Sequence, residues 1–168
     1  MSKLQQLILK SETSFFRKWL LNLALSRSIP FNAPHHFKIV AIKPGEVQIA
    51  LPYRKSNLNH VKGIHACALA TLCEFTTGLA IISLISEKEY RIILKSLRVD
   101  YLYQAKMDVT GFFTISSNFL KTEITDPLRN TDAIFKEFEI KIHDSQNNHI
   151  CTGFVNWQIK KWGKVKAV

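Results

Sequence analysis

The chain has 168 residues, 46% of them hydrophobic and 11% aromatic, which excludes a disordered protein and suits one domain with a sizeable core. Lysine and arginine outnumber aspartate and glutamate by 23 to 13, which gives a formal charge of +10. The basic residues are spread along the chain and do not cluster on one element, which argues against a nucleic-acid binder. Two interpretations stay open, namely a basic solvated surface and the attraction of a small anionic molecule.

The cysteines and the N-terminus bear on the cellular compartment. An odd number of cysteines at irregular spacing (Cys67, Cys73 and Cys151) argues against a disulfide framework, and the absence of a Cys-x-x-Cys pair argues against structural zinc. Residues 1–9 lack the pattern of a secretory signal. We therefore expect a cytoplasmic protein with no metal and no redox cofactor.

The first predicted element is an amphipathic helix from Lys3 to Arg27, followed by a connector that ends at residue 33. Its apolar residues recur at three- and four-residue spacing: Leu4, Leu7, Ile8, Phe15, Trp19, Leu20 and Leu23. Pro30 disfavours helix at the residue before it and so ends the element. We expect this helix to pack on its own domain, and a position on a membrane surface is the alternative.

A domain is predicted from residue 34 to residue 163, followed by a basic tail at 164–168. It begins with a hairpin, in which segments 37–41 and 47–52 flank a Pro-Gly turn. The segments rich in β-branched and aromatic residues predict four further strands at 92–103, 109–117, 133–143 and 150–161, with an irregular crossover at 120–130 and a loop at 144–148.

Between the hairpin and these strands, a helix that begins near His65 and fades at residues 86–88 is apolar on nearly every face. Its length would allow it to cross a membrane, but a carboxylate at its centre, Glu74, costs about 2.5–3.5 kcal/mol on insertion. We therefore predict an α+β fold in which a long antiparallel β-sheet wraps around this central buried helix, with an extra N-terminal helix. This is the geometry of a hotdog fold.

Two features of segment 59–74 indicate chemistry. Backbone N–H groups at the start of the helix have no intrahelical partners and can polarise a carbonyl, and small residues such as Ala66 allow a substrate to approach them. Gly63 gives the chain freedom to turn into the helix. Glu74 is the one ionisable side chain between His65 and Glu87, so burial should raise its pKa and suit it to base or nucleophile work.

His65 and Glu74 are nine residues apart, about 13.5 Å along a helix axis, so they cannot serve one substrate from the same helix. A composite site between two antiparallel helices of a homodimer is therefore a hypothesis. Structural interpretations stay open as well. Glu74 would then bond a hydroxyl or an arginine, His65 and Asn59 would be caps or loop-ordering groups, and Cys67 and Cys73 would fill core space.

The order Asn59, Gly63-Ile64-His65-Ala66 and Glu74 resembles the helix-start motif of hotdog thioesterases that act on hydroxybenzoyl-CoA and phenylacetyl-CoA. It is most similar to an uncharacterised bacterial branch with Gly-x-x-His-Ala and a helical Glu. The strand segment 99–105, Val-Asp-Tyr-Leu-Tyr-Gln-Ala, resembles Val-x-Tyr-Leu-x-Pro-Ala of these proteins. The resemblance covers residues 37–162.

This resemblance implies a homodimer or a tetramer that hydrolyses acyl-CoA or other acyl thioesters, with coenzyme A entering as part of the substrate. Glu74 would be the base or nucleophile, the Ala66 amide would polarise the carbonyl from the other protomer, and Asn59 would orient the carbonyl or water, with His65 beside them. The residues expected to contact substrate are Gly63, Cys67, Thr77 and Gly78.

Three departures from the family pattern stand beside the resemblance. Ala66 and Cys67 replace the glycines of a His-Gly-Gly motif, Gly78 stands where some relatives have a threonine, and Gln104 replaces the strand proline. The alternatives are a hotdog dehydratase or hydratase that uses His65 with Glu74, and a non-catalytic acyl-CoA-binding module. Neither nucleic acid nor membrane is an expected partner.

Overall fold

The computed structural model describes residues 2–165, so most of the predicted basic tail lies outside the described residues. The N-terminal segment forms two helices, α1 (Lys3–Ser11) and α2 (Phe15–Ser28), and the prediction of one continuous helix is wrong. The chain breaks at residues 12–14 because Ser14 caps the second helix, its hydroxyl accepting a hydrogen bond from the Arg17 N–H.

A single six-stranded sheet, antiparallel throughout, forms the body of the protein. Its strands lie in the spatial order β1-β2-β4-β5-β6-β3. The bounds are β1 Lys38–Lys43, β2 Glu46–Leu51, β3 Tyr90–Tyr101, β4 Val109–Thr114, β5 Ala133–Asp144 and β6 His149–Lys161. These strands confirm the predicted hairpin and the four later strands to within a few residues. The predicted irregular crossover consists of three short helical turns, Ser117–Leu120, Lys121–Thr125 and Pro127–Arg129.

The helix α3 (Ala66–Leu84) packs across one face of this sheet, as predicted, and contacts β2, β3, β4, β5 and β6. In the described part of the chain it is the one helix long and apolar enough to cross a membrane, yet 67% of its apolar window is buried in the fold. Strand β6 packs closely on this helix. The Trp157 indole N–H donates to the Thr77 hydroxyl over 3.1 Å, and a side chain at Gly78 would lie 2.9 Å from the Trp157 ring. The helix is therefore a core element.

The two edges of the sheet differ in how they are covered. At the β1 edge, the Asn22 side-chain oxygen on α2 accepts from the Ile39 N–H over 2.8 Å, and the Lys18 ammonium donates to the Val40 carbonyl over 2.9 Å. Helix α2 thus satisfies backbone groups that an edge strand leaves unpaired. The opposite edge strand, β3, has no neighbour on its outer side among residues 2–165.

The face of β3 that points toward α3 remains partly open. Leu94 and Tyr101 are paired with Trp157 and Cys151, whose side chains are buried beneath the helix. Leu94 is nevertheless 36% exposed and Tyr101 48% exposed, because α3 does not extend over this edge. The inner apolar surface of the sheet therefore continues past the central helix of its own chain.

Candidate active site

The loop before α3 is built around Asn59. Its side-chain oxygen accepts from the N–H groups of Val61 and Gly63 over 3.1 and 3.0 Å, and its own N–H donates to the Gly63 carbonyl. These contacts give Asn59 a loop-ordering role, and its predicted contact with a carbonyl or water stays a prediction. The left-handed backbone of this turn is at Lys62, with a φ of 59°. Gly63 instead packs closely on Gln104, since a Cβ at Gly63 would lie 2.8 Å from Cγ of that side chain.

His65 caps the helix. Its Nδ1 accepts a hydrogen bond from the Cys67 N–H over 3.1 Å, so a neutral imidazole carries its proton on Nε2. The Ala66 N–H, between the two, differs from the Cys67 N–H because none of residues 2–165 accepts a hydrogen bond from it. Ala66 is exposed, so this N–H is open to a ligand. The helix start therefore presents one unused donor at the position that the sequence predicted.

Three residues that sequence reasoning did not assign to the site hold this helix start in place. Asn57 is 1% exposed, its carbonyl accepts from the His65 N–H over 2.7 Å, and its amide group bonds the ring and the carbonyl of His35. The Tyr101 hydroxyl donates to the Ala66 carbonyl over 2.9 Å. No local motif signals these roles, because the partners lie 22 and 35 residues apart in the sequence.

Glu74 lies on an open stripe of α3. Cys67, Ala70, Thr71 and Glu74 follow helical spacing and are all exposed or partly exposed, whereas the residues from Phe75 to Ile81 are buried. Among residues 2–165 the Glu74 carboxylate has neither a hydrogen-bond donor nor a salt-bridge partner. Burial raises its pKa above the ordinary value for a glutamate, as expected from the sequence. The structural interpretation of Glu74 as a paired core carboxylate finds no partner in the described chain.

The Ala66 N–H and Glu74 cannot meet on one substrate carbonyl within one chain. They are eight residues apart on a straight helix, about 12 Å along its axis. The helix start borders the open β3 edge, since the Tyr101 hydroxyl of that edge donates to the Ala66 carbonyl, and Glu74 lies further along the open stripe of the same helix. A second chain placed against this face would bring its own helix beside the open stripe.

The remaining predicted site residues separate into two groups. Cys67 is exposed on the open stripe, so the interpretation that it fills core space is wrong, and its predicted substrate contact stays a prediction. Thr77 and Gly78 lie in the core against Trp157, so the structure gives both a packing role, and their predicted substrate contacts stay a prediction. Cys73 is also buried, and contact with Cys151 together with burial raises the pKa of its thiol.

The raised pKa of Glu74 predicts how stability depends on pH. A carboxyl with a higher pKa in the folded state keeps its proton there while the unfolded chain ionises, so stability falls as pH rises through that interval. We expect Glu74→Gln, which removes the charge and keeps the shape, to raise the thermal unfolding midpoint at pH 7. The gain should disappear below the ordinary glutamate pKa, where both states are protonated. The exposed Glu137→Gln serves as the control in calorimetry at fixed protein concentration. A gain of equal size at both pH values would contradict this prediction.

An antiparallel sheet wrapped around one long buried helix defines the hotdog fold, and this chain has that fold. Residues 17–159 match a family described as a domain of unknown function, DUF4442, and the chain belongs to this family. None of the curated proteins matches the chain.

Solved structures of hotdog proteins are similar to this one. A probable thioesterase from Pseudomonas aeruginosa, described as a protein of unknown function, is 19% identical with a TM-score of 0.78 over 84% of this chain and 94% of that chain. A mutant of a Staphylococcus aureus thioesterase is 18% identical with a TM-score of 0.62, over 78% and 98%. A Haemophilus influenzae thioesterase is 14% identical with a TM-score of 0.64, over 82% and 88%. At these identities the likeness shows the fold.

Proposed function

We propose that the protein hydrolyses acyl-CoA-type thioesters at composite sites of a homodimer. One observation carries this proposal. The open face of α3 presents a carboxylate and a helix-start N–H, neither of which has a partner in the described chain. The two residues are separated by about 12 Å along the helix axis. Two such helices arranged antiparallel would place the Ala66 N–H of one protomer opposite Glu74 of the other. Each dimer would then contain two equivalent sites.

The chemistry assigned to such a site is acyl transfer to water. The Ala66 N–H polarises the thioester carbonyl oxygen and stabilises the negative charge that develops on it. Glu74 accepts a proton from water as the water oxygen attacks the carbonyl carbon. The C–S bond then breaks, the thiolate leaves, and the proton held by Glu74 neutralises it. The raised pKa of Glu74 suits both steps, because the group must gain and return a proton near neutral pH.

Similarity to hotdog proteins described as thioesterases supports a thioester substrate. The dehydratase alternative needs His65 as a base. The Nδ1 lone pair of His65 already accepts a hydrogen bond from the Cys67 N–H, which disfavours that alternative. The test is thiol release from a panel of short-chain, long-chain and aromatic acyl-CoAs by the wild-type protein. Release from at least one class supports the proposal, and tight acyl-CoA binding without any release would favour the non-catalytic binding module.

Self-association can be tested separately at the open edge strand. Leu94 points toward the inner face of the sheet and Ile93 toward the outer face, and both are partly exposed, at 36% and 44%. We expect Leu94→Glu to convert the dimer to a monomer and abolish thiol release, because a charge would be buried against the second helix. Ile93→Glu is the matched control and should remain a dimer. Sedimentation measures the mass, and a dimeric Leu94→Glu would contradict the predicted interface.

A further inference from the structure

A cavity of about 710 Å³ lies between α2, the turn Pro30–His35, the start of β1 and one residue of the central helix. Its apolar walls are formed by Phe15, Trp19, Leu23, Phe37, Ile39 and Phe75. Helix α2 is attached to the body through buried Leu21 and Leu25 and through its bonds to β1. It spans this space without filling it, and the volume is within the range of ligand pockets.

The aromatic rings on α2 remain open although they border the cavity. Phe15 is 87% exposed and Trp19 is 52% exposed. Contiguous apolar surface left uncovered in this way marks a binding surface more often than a packing defect. The unfilled space under α2 is therefore suited to an apolar ligand.

Three polar side chains of the cavity lining already bond the protein. The Lys18 ammonium donates to the Val40 carbonyl, the Asn22 amide bonds the Ile39 N–H and the Lys18 carbonyl, and the Ser26 hydroxyl donates to the Leu23 carbonyl. The other three are Asn32, which is buried, and His36 and Lys38, which are exposed to solvent. Their side chains make no hydrogen bond within residues 2–165. Apolar side chains nevertheless form most of the lining, which favours a hydrocarbon chain as the ligand.

The cavity adjoins the candidate active site through Phe75, which follows Glu74 on α3. The Phe75 ring packs on Phe37 with centroids 5.5 Å apart, and Phe37 packs on His35 at 5.4 Å. His35 in turn bonds Asn57, which accepts from the His65 N–H. A continuous series of side-chain contacts and hydrogen bonds therefore links one wall of the cavity to Glu74 and to the start of α3.

We propose that this cavity holds the hydrocarbon chain of a long-chain acyl thioester. The assignment rests on the proposed function, because it makes the cavity the acyl compartment of the site that contains Glu74. Fatty acyl chains need a long apolar space with few polar demands, and the region under α2 provides one. Helix α2 is then part of the substrate site and sets its preference for chain length.

The test compares two tryptophan substitutions on α2. Ser26 lines the cavity, whereas Ala24 is exposed on the same helix and does not line it, so Ser26→Trp fills the space and Ala24→Trp is the matched control. The probe is the fluorescent C18 fatty acid cis-parinaric acid. We expect Ser26→Trp to weaken its binding at least tenfold and Ala24→Trp to change it less than twofold. Equal binding by both variants, or no binding by the wild-type protein, would overturn the proposal.

Two further measurements separate this proposal from the proposed function. Glu74→Gln should bind the probe like the wild type, because Glu74 does not line the cavity. Probe binding by a wild-type protein that releases no thiol from any acyl-CoA would overturn the proposed hydrolase while supporting the cavity. Ser26→Trp should lower thiol release from palmitoyl-CoA at least tenfold more than release from butyryl-CoA, and an equal effect on both would overturn the acyl compartment. Co-sedimentation with phosphatidylglycerol vesicles by a protein that binds no probe would assign the aromatic face of α2 to a lipid surface and overturn the cavity proposal.

Discussion

We expect Glu74→Gln to lower thiol release from a good acyl-CoA substrate at least a hundredfold, with the fold and the oligomeric state unchanged. General acid–base groups contribute about 10²–10⁴ to the rate, and an amide of the same shape cannot accept a proton from water. The effect should fall mainly on kcat, because the carboxylate is needed for the chemical step more than for binding. The rate of thiol release is measured at several substrate concentrations with a chromogenic thiol reagent, which gives kcat and KM separately.

Two variants make this result specific to position 74. Glu137→Gln removes an exposed carboxylate from β5 and should keep full activity, since its side chain is far from α3 and faces solvent. Glu74→Asp keeps the charge on a shorter side chain and should retain part of the activity. Activity in Glu74→Gln within tenfold of the wild type, in well-folded protein, would remove Glu74 from the chemistry.

The pH profile provides a second signature of the same residue. Since burial raises the pKa of Glu74, kcat/KM should fall on the acidic side with a midpoint above the ordinary range of a glutamate. Above that midpoint the carboxylate is ionised and the activity should reach a plateau. This acidic limb should be absent from the residual activity of Glu74→Gln. An unchanged limb in the variant would assign it to another group.

The sequence predicted the parts of the fold that depend on local pattern. The apolar helix from Ala66 to Leu84 and the Pro-Gly hairpin are periodic or contain turn residues, so their positions could be recognised without tertiary information. The break at residues 12–14 was missed, because the apolar periodicity continues through it while a single serine hydroxyl supplies a new cap. Hydrophobic spacing alone does not detect such a cap.

The candidate site was predicted where it depends on residue type and missed where it depends on distant contacts. Glu74 stands out because an ionisable side chain is rare within an apolar helix. Asn57 does not stand out, since its role comes from bonds to His35 and His65 that only the folded chain creates. The core positions of Thr77 and Gly78 likewise depend on Trp157, a residue of the last strand.

The role of the Ala66 N–H can be tested by removing that one donor. We expect Ala66→Pro to lower thiol release by about 10²–10³, the range for loss of one oxyanion-hole donor. Proline is favoured at the first position of a helix, and His65 already has the extended backbone, φ −65° and ψ 138°, that a following proline requires. Ala66→Ser also enlarges the side chain but keeps the N–H, so it should retain most of the activity. The comparison distinguishes loss of the hydrogen-bond donor from crowding by a larger side chain.

Hybrid dimers of the two inactive variants distinguish a composite site from a site within one chain. In a dimer of Glu74→Gln with Ala66→Pro, one composite site loses both groups and the other regains both, since it combines the intact Glu74 of one protomer with the intact Ala66 N–H of the other. Random mixing makes half of the dimers hybrids, so co-expression should restore about one quarter of the wild-type activity. A site built within one chain would instead stay inactive in every combination, because each protomer lacks one of its two groups. Absence of rescue in confirmed hybrids would therefore reject the antiparallel arrangement, whereas rescue would place Glu74 and the Ala66 N–H on opposite protomers of one site.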